Sequence, residues 1–254
     1  MIAKTQNEIE NLREAGKRMA QVVREVLAKV APGVSSMELE EMARAATKRL
    51  EAVPSYLGYA GGKIEKPYPA ALCVSINDDI AHSPPTPDKI LKEGDVVSID
   101  FGLSYKGFFM DTAYTLGVGE VDAKAKNLMR GTEAALVVGI EAARAGGRTG
   151  DIGAAVEAVA QQYKLDVVRD LRGHGVGKAV HEAPNVPNFG TAGKGAEMPE
   201  GLVIAIEPIF AEGSGEMIDK GDGFTYSTKD GSRAAHFEHT VLITEDGPEI
   251  LTSL

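Results

Sequence analysis

Four acidic residues stand where an unpaired charge is costly. Ser98-Ile99-Asp100-Phe101-Gly102 sets an aspartate inside an apolar run of strand character, and Met110-Asp111-Thr112 sets a second one eleven residues later. Ile204-Ala205-Ile206-Glu207-Pro208-Ile209-Phe210 and Ala235-His236-Phe237-Glu238-His239-Thr240 each carry one glutamate in or beside a strand-like run, with no Lys or Arg inside either. An ionised carboxylate taken out of water is strongly disfavoured unless it is paired or bound to a metal. Tyr105-Lys106-Gly107 reads as a hairpin turn between the two aspartates. A two-residue loop at 105–106 sets Asp100 directly opposite Asp111, and a loop at 106–107 makes them diagonal neighbours. Both place them on one face, because strand periodicity is two, whereas a three-residue loop separates them. Two carboxylates on one buried face need a cation or a shared proton.

The histidines add nitrogen donors. All five, His82, His174, His181, His236 and His239, lie beside Gly, Pro or an acid rather than on a helix face. Gly173-His174-Gly175-Val176-Gly177-Lys178-Ala179-Val180-His181-Glu182 is rich in glycine, which suits close backbone approach. It is not a phosphate-binding P-loop, because Arg172 stands where that motif needs Gly and Ala179 where it needs Ser or Thr. His174 and His181, seven apart, are too distant for the i, i+4 pattern of a zinc-binding helix. They suit a loop that presents one ligand and one group that either supports a ligand or binds substrate. Four carboxylates (Asp100, Asp111, Glu207, Glu238) balance two divalent ions, and with His174 the mixed oxygen and nitrogen set suits Mn, Fe, Co or Zn better than Mg or Ca.

These residues must be positioned by two runs of helices followed by strands. Thr5 and Glu8 make a capping box ahead of a helix over 5–30, stopped at Ala31-Pro32-Gly33. Ser35 and Glu38 open a second helix that runs to about 52, and residues 53–70 read as loop. Strands are expected at 71–76, 96–105 and 108–118. A long helix over 122–145 is broken at Gly146-Gly147, and another helix covers 150–163. Strand runs return at 167–168, 203–210 and 240–243. Gly33-Val34-Ser35 resembles Gly147-Arg148-Thr149, 114 positions on, so the chain reads as an internal duplication. The expectation is a single α+β catalytic domain spanning 1–254, with halves at about 1–120 and 121–254.

Composition narrows the class. The chain has 254 residues, 43% hydrophobic and 25% charged, enough to bury a core without a structural metal. Its 27 Lys+Arg against 37 Asp+Glu give a net charge of −10, with no basic cluster, so nucleic acid and anionic membranes are not expected partners. Cys73 is the single cysteine, which excludes an internal disulfide and suits a reducing compartment. No signal peptide and no membrane span are expected, and the expected location is cytoplasmic.

In order and near-family spacing, Ile99-Asp100-Phe101-Gly102, Met110-Asp111-Thr112, Gly173-His174-Gly175-Val176-Gly177, Ile206-Glu207-Pro208 and Glu238-His239-Thr240 make a chain that resembles the type I methionine aminopeptidases of peptidase family M24. Thr228-Lys229-Asp230-Gly231-Ser232 is a feature of that branch, and the resemblance covers essentially the whole chain. It implies the pita-bread fold, with a pseudo-twofold antiparallel sheet core and helices outside. It implies removal of the N-terminal methionine from nascent proteins, with a small second residue preferred. The implied chemistry is attack on the first peptide bond by water activated at two divalent metal ions (Co, Mn, Fe or Zn). Asp100 would hold the first metal, Asp111 and Glu238 would bridge, and His174 and Glu207 would complete the second. Glu207 would be the general base, with His82 and His181 around the scissile amide and Cys73 and Phe224 lining the methionine pocket. The partners implied are the N-termini of nascent polypeptides, with a transient ribosome encounter and a monomeric enzyme. The chain departs from the family at His82-Ser83-Pro84-Pro85, where His-Gly-Ile-Pro is usual, at Phe224, where Trp is usual, at Val180, where a bulky aromatic is common, and in a longer loop at 60–70. Two alternatives remain at this point: an Xaa-Pro aminopeptidase or prolidase, and a non-catalytic peptide-binding protein of the same fold.

Overall fold

The computed structural model describes residues 1–60 and 66–254, so part of the 60–70 loop lies outside the described residues. The first half runs α1 (Gln6–Lys29), α2 (Ser36–Arg49), β1 (Val53–Pro54), β2 (Leu72–Ile76), β3 (Asp79–Ala81), β4 (Val96–Tyr105) and β5 (Phe108–Gly117). The second opens with α3 (Ala123–Ala142) and α4 (Thr149–Tyr163), then β6 (Asp166–Val167), β7 (Gly173–Gly175), β8 (Glu182–Val186), β9 (Val203–Ile206) and β10 (Ile209–Ala211). It closes with β11 (Met217–Asp219), β12 (Tyr226–Thr228), β13 (Ala234–His236), β14 (Glu238–Thr244) and β15 (Gly247–Ile250).

Local chemistry sets the helix starts. Thr5 accepts from Glu8 N at 3.2 Å while Glu8 reaches back to Thr5 N at 3.2 Å, and Glu38 likewise reaches Ser35 N at 3.1 Å. Asp122 caps α3 through Ala125 N at 2.8 Å. At α4 the cap position is Arg148, whose side chain has no acceptor, so only the reciprocal half survives, Arg148 N to Asp151 at 2.7 Å. The two helix pairs begin alike. Gly33 (φ +87°) donates to Leu91 O at 2.8 Å, and Gly146 (φ +80°) donates to Met198 O at 2.9 Å. Ser35 bridges Ile90 as Arg148 bridges Glu197. The matching glycine is therefore Gly146 rather than Gly147, because it is the one in the left-handed conformation.

Nine strands form the main antiparallel sheet, in the order β1-β4-β5-β14-β9-β7-β8, with β2 also on β4 and β15 also on β14. β5 and β14 join the halves. Period-two alternation divides β4 cleanly: Val97, Ile99, Phe101 and Leu103 pack under α1 and α2, leaving Ser98, Asp100 and Gly102 on the other face. The second core sets Leu128, Ile140, Ile152 and Val156 of α3 and α4 against Ile204, Ile206, Val241 and Ile243. Each such fully buried aliphatic side chain contributes about 1.5–3 kcal/mol.

One expected strand is two. The run 203–210 is interrupted at Glu207-Pro208: β9 belongs to the main sheet and β10 to a small sheet with β13 and β6. Proline has no N–H to continue a ladder. The partner run breaks at the matching position and keeps its register, since Ile206 pairs with His239 and Ile209 with His236. Glu207 and Glu238 thus sit together where two paired strands change sheets. Among the described residues, no helix is long and apolar enough to cross a membrane.

Candidate metal centre and substrate pocket

The β4–β5 hairpin fixes the first pair of acids. Tyr105 pairs with Phe108, so the loop is Lys106-Gly107, with φ of +50° and +78°. Both values belong to the turn whose twist matches a hairpin. Asp100 then faces Ala113 and Asp111 faces Gly102, the diagonal arrangement. Cys73 on β2 is the direct cross-strand neighbour of Asp100. Threonine hydroxyls hold β5 on β14: Thr240 Oγ1 accepts from Asp111 N at 2.9 Å and donates to Asp111 O at 2.8 Å, and Thr112 donates to Glu238 O at 2.6 Å.

The glycine-rich segment expected as a loop contains the short strand β7, between β8 and β9. His174 Nδ1 lies 2.9 Å from Gly175 O. A carbonyl only accepts, so Nδ1 carries the proton and the Nε2 lone pair points into the cavity. That atom is 3.5 Å from Glu207 Oε1 and 3.9 Å from Asp111 Oδ2.

Every site residue singled out in the sequence lines one cavity of about 230 Å³: Asp100, Asp111, His174, Glu207, Glu238, His82, His181, Cys73 and Phe224. Potential ligand atoms converge in three groups, each within 4.8 Å: Asp100, Asp111 and Glu238; His174, Glu207 and Glu238; and Asp111, His174 and His181. Glu238 belongs to the first two. Asp100, Asp111 and Glu238 are buried, and among the described residues no Lys or Arg pairs with any of the four acids. Burial raises the Asp100 carboxyl to about 6. Burial, then repulsion from the neighbouring acids, raises Asp111, Glu207 and Glu238 well above the usual range. Burial pulls His174 down to about 3, so its neutral form is favoured. Glu238 Oε1 and His236 Nε2 are buried without a hydrogen-bond partner. Acids that resist ionisation, a neutral imidazole with its lone pair turned inward and unpartnered buried polar atoms together fit divalent metal ions.

Three more side chains of the cavity wall were not assigned to the site from the sequence. Tyr56 donates to Asp100 Oδ1 at 2.7 Å and also hydrogen-bonds Asp111 Oδ1. Tyr59 Oη lies 2.7 Å from His181 Nδ1, which leaves the other ring nitrogen of His181 free; the two imidazoles of His174 and His181 are 4.4 Å apart. Both tyrosines come from a Gly- and Pro-bearing segment without periodicity, so nothing local marked them. His236 Nε2 is 3.7 Å from both Glu207 and Glu238. It stands two residues before Glu238, a spacing that could have signalled a shared face. His239, by contrast, turns away to Thr252 Oγ1 at 2.9 Å.

The departures from the family pattern have local partners. His82 holds φ +56°, and its neighbour Ser83 donates to Asp79 at 2.7 Å and accepts from Lys89 Nζ at 2.7 Å. Phe224 meets Tyr68 edge-on at 5.6 Å, and Val180 is buried in the same apolar cluster as Tyr56, Tyr68 and Cys73.

The sequence matches metallopeptidase family M24 over residues 10–245. A methionine aminopeptidase of Aquifex aeolicus (strain VF5) is 46% identical over 252 residues, covering 98% of each chain. The crystal structure of methionine aminopeptidase from Thermotoga maritima superimposes with a TM-score of 0.95 at 42% identity, covering 100% of both chains. An Xaa-Pro dipeptidase from Bacillus anthracis has the same fold, with a TM-score of 0.76 at 21% identity, and this chain spans 62% of it.

Proposed function

The chain belongs to metallopeptidase family M24 and, within it, to the methionine aminopeptidases, and we propose that its reaction runs on two divalent ions held by Asp100, Asp111, His174, Glu207 and Glu238. It has the pita-bread fold and removes the N-terminal methionine of polypeptides. The observation that carries the dinuclear reading is the sharing of Glu238 between two convergent ligand groups. In this reading Asp100, Asp111 and Glu238 would hold one ion, and His174, Glu207 and Glu238 would hold the other. Co, Mn, Fe or Zn suits the donor set. When bound, such ions lower the pKa of water and polarise the scissile carbonyl.

The chain's own groups do the rest. Glu207 takes the proton of the attacking water and returns it to the leaving amine. Burial raises its proton affinity above the ordinary carboxylate range. His181, held through Nδ1 by Tyr59, offers Nε2 to the scissile amide, and His82 faces the same cavity from β3's end. Cys73 and Phe224 form an apolar wall for the methionine side chain, and the residue after it is small. A monomer suffices for this reaction, because one chain supplies all five proposed ligands. It acts in the cytoplasm on nascent chains as they leave the ribosome. The Xaa-Pro reading draws only on likeness below 25% identity, which speaks to fold.

The test strips the metal and titrates Mn, Fe, Co and Zn back while free methionine released from Met-Gly-Met-Met is measured. Metal-dependent release saturating near two ions per chain is expected. Glu207→Gln should lower release by roughly 10²–10⁴-fold. Proline-directed cleavage of Ala-Pro-Gly in place of methionine release, or two bound ions with no turnover of either peptide, would overturn the assignment.

A further inference from the structure

The Tyr56 hydroxyl lies between Asp100 and Asp111, within hydrogen-bond reach of one oxygen of each. Its ring is gripped rather than free. A Cβ on Gly102 would stand 2.8 Å from Tyr56 Cε1 and 2.2 Å from Ser55 Oγ, so the bare glycine is what lets the ring lie against β4. Ser55 N donates to Gly102 O at 2.9 Å, Tyr59 N donates to Tyr56 O at 2.8 Å, and Tyr68 packs edge-on at 6.4 Å. A phenol has one hydrogen and meets two carboxylates, so it can satisfy only one of them at a time. The other needs a cation or a proton of its own. A phenolate here would add a fifth negative charge to four acids that two divalent ions already balance, so the neutral hydroxyl is favoured.

We propose that Tyr56 is a positioning residue of the metal centre, its hydroxyl donating to the Asp100–Asp111 pair so that their remaining oxygens face one ion. This rests on the metal reading above. Groups that hydrogen-bond to metal-ligating side chains fix ligand orientation, and their loss weakens metal binding by roughly 10–100-fold.

The full-length metal-free protein is titrated with Mn²⁺ and Zn²⁺ by calorimetry, with its fold checked by circular dichroism. In Tyr56→Phe one of the two binding steps should weaken roughly 10–100-fold while the other keeps its affinity. Tyr68→Phe is the control. It removes a buried hydroxyl that donates to Leu72 O at 3.1 Å, and it should leave both steps unchanged. Unchanged steps in a folded Tyr56→Phe, or an equal loss in Tyr68→Phe, would overturn the proposal. Should Tyr56→Phe not fold, ¹³C-tyrosine NMR of the wild type decides. The Tyr56 ring signal should move during one Zn²⁺ step and stay in the phenol range; no movement, or a phenolate shift, overturns the donor role. A wild type that binds no divalent ion sinks the metal reading itself, an outcome distinct from two tight ions that ignore Tyr56.

Discussion

Burial sets the proton affinity of the acids that line the cavity. Asp100 is raised to about 6, and Asp111, Glu207 and Glu238 are raised well above the ordinary range by the same cause, reinforced by repulsion from neighbouring acids. An acid raised in the folded state binds its proton more tightly there than when unfolded. Its contribution to stability is therefore present below the ordinary carboxylate pKa and is lost as pH rises through about 6 for Asp100. A divalent ion competes with those protons, so ions replace them as pH rises. Metal affinity measured at pH ~5 and ~7.5 should be markedly higher at the upper value, and a pH-independent affinity would contradict this charge assignment. His174, pulled to about 3, adds nothing to that trend in this window because it is neutral throughout. Asp100, Asp111, Glu207 and Glu238 were visible as acids in apolar runs. Tyr56 was not, because a tyrosine in a loop carries no periodicity and its partners lie 44 and 55 residues away.

Strands place these side chains, and their irregularities matter as much as their regularity. The β7–β8 pair shifts register between His174 and Gly175. A Cβ at Gly175 would stand 2.1 Å from Ala183 O, a backbone atom that cannot step aside cheaply. Gly175→Ala should therefore cost about 1–3 kcal/mol in urea unfolding and lower methionine release by turning His174. A variant of wild-type stability would show that the strand has room to spare. The helices were legible because caps and 3.6-residue periodicity are local. The β4–β5 hairpin was legible up to its loop register, which the Lys106-Gly107 turn settled. The break at Glu207-Pro208 was missed, although the proline that causes it was in view. β1, β3, β7, β8, β11–β13 and β15 were missed because short strands gain their stability from neighbours rather than from their own sequence.

At the scale of the whole molecule, the two halves meet at β5 and β14, and the proposed metal centre straddles that seam. Asp100 and Asp111 come from one half, and His174, Glu207 and Glu238 from the other. Ions that bind only the folded chain stabilise it by mass action, about 2.7 kcal/mol each at a hundredfold excess over Kd. Two such ions should raise Tm by roughly 10–20 °C in a chain of this size. Differential scanning calorimetry before and after chelation measures the difference, and equal Tm values would show that the seam is held without metal.

By itself the sequence determined the helices, the long hairpin, the α+β class and, through motif order, the family, and it supplied the proposed acid–histidine donor set. These are local or additive properties: caps, periodicity, residue type and spacing along the chain. Only the tertiary structure decided which side chains share one cavity with those donors. It set Tyr56 on Asp100 and Asp111, Tyr59 on His181 and His236 between two glutamates, and it turned His239 away. Such pairings depend on loop closure and on where β9 and β14 leave the main sheet, and packing across the two halves fixes both.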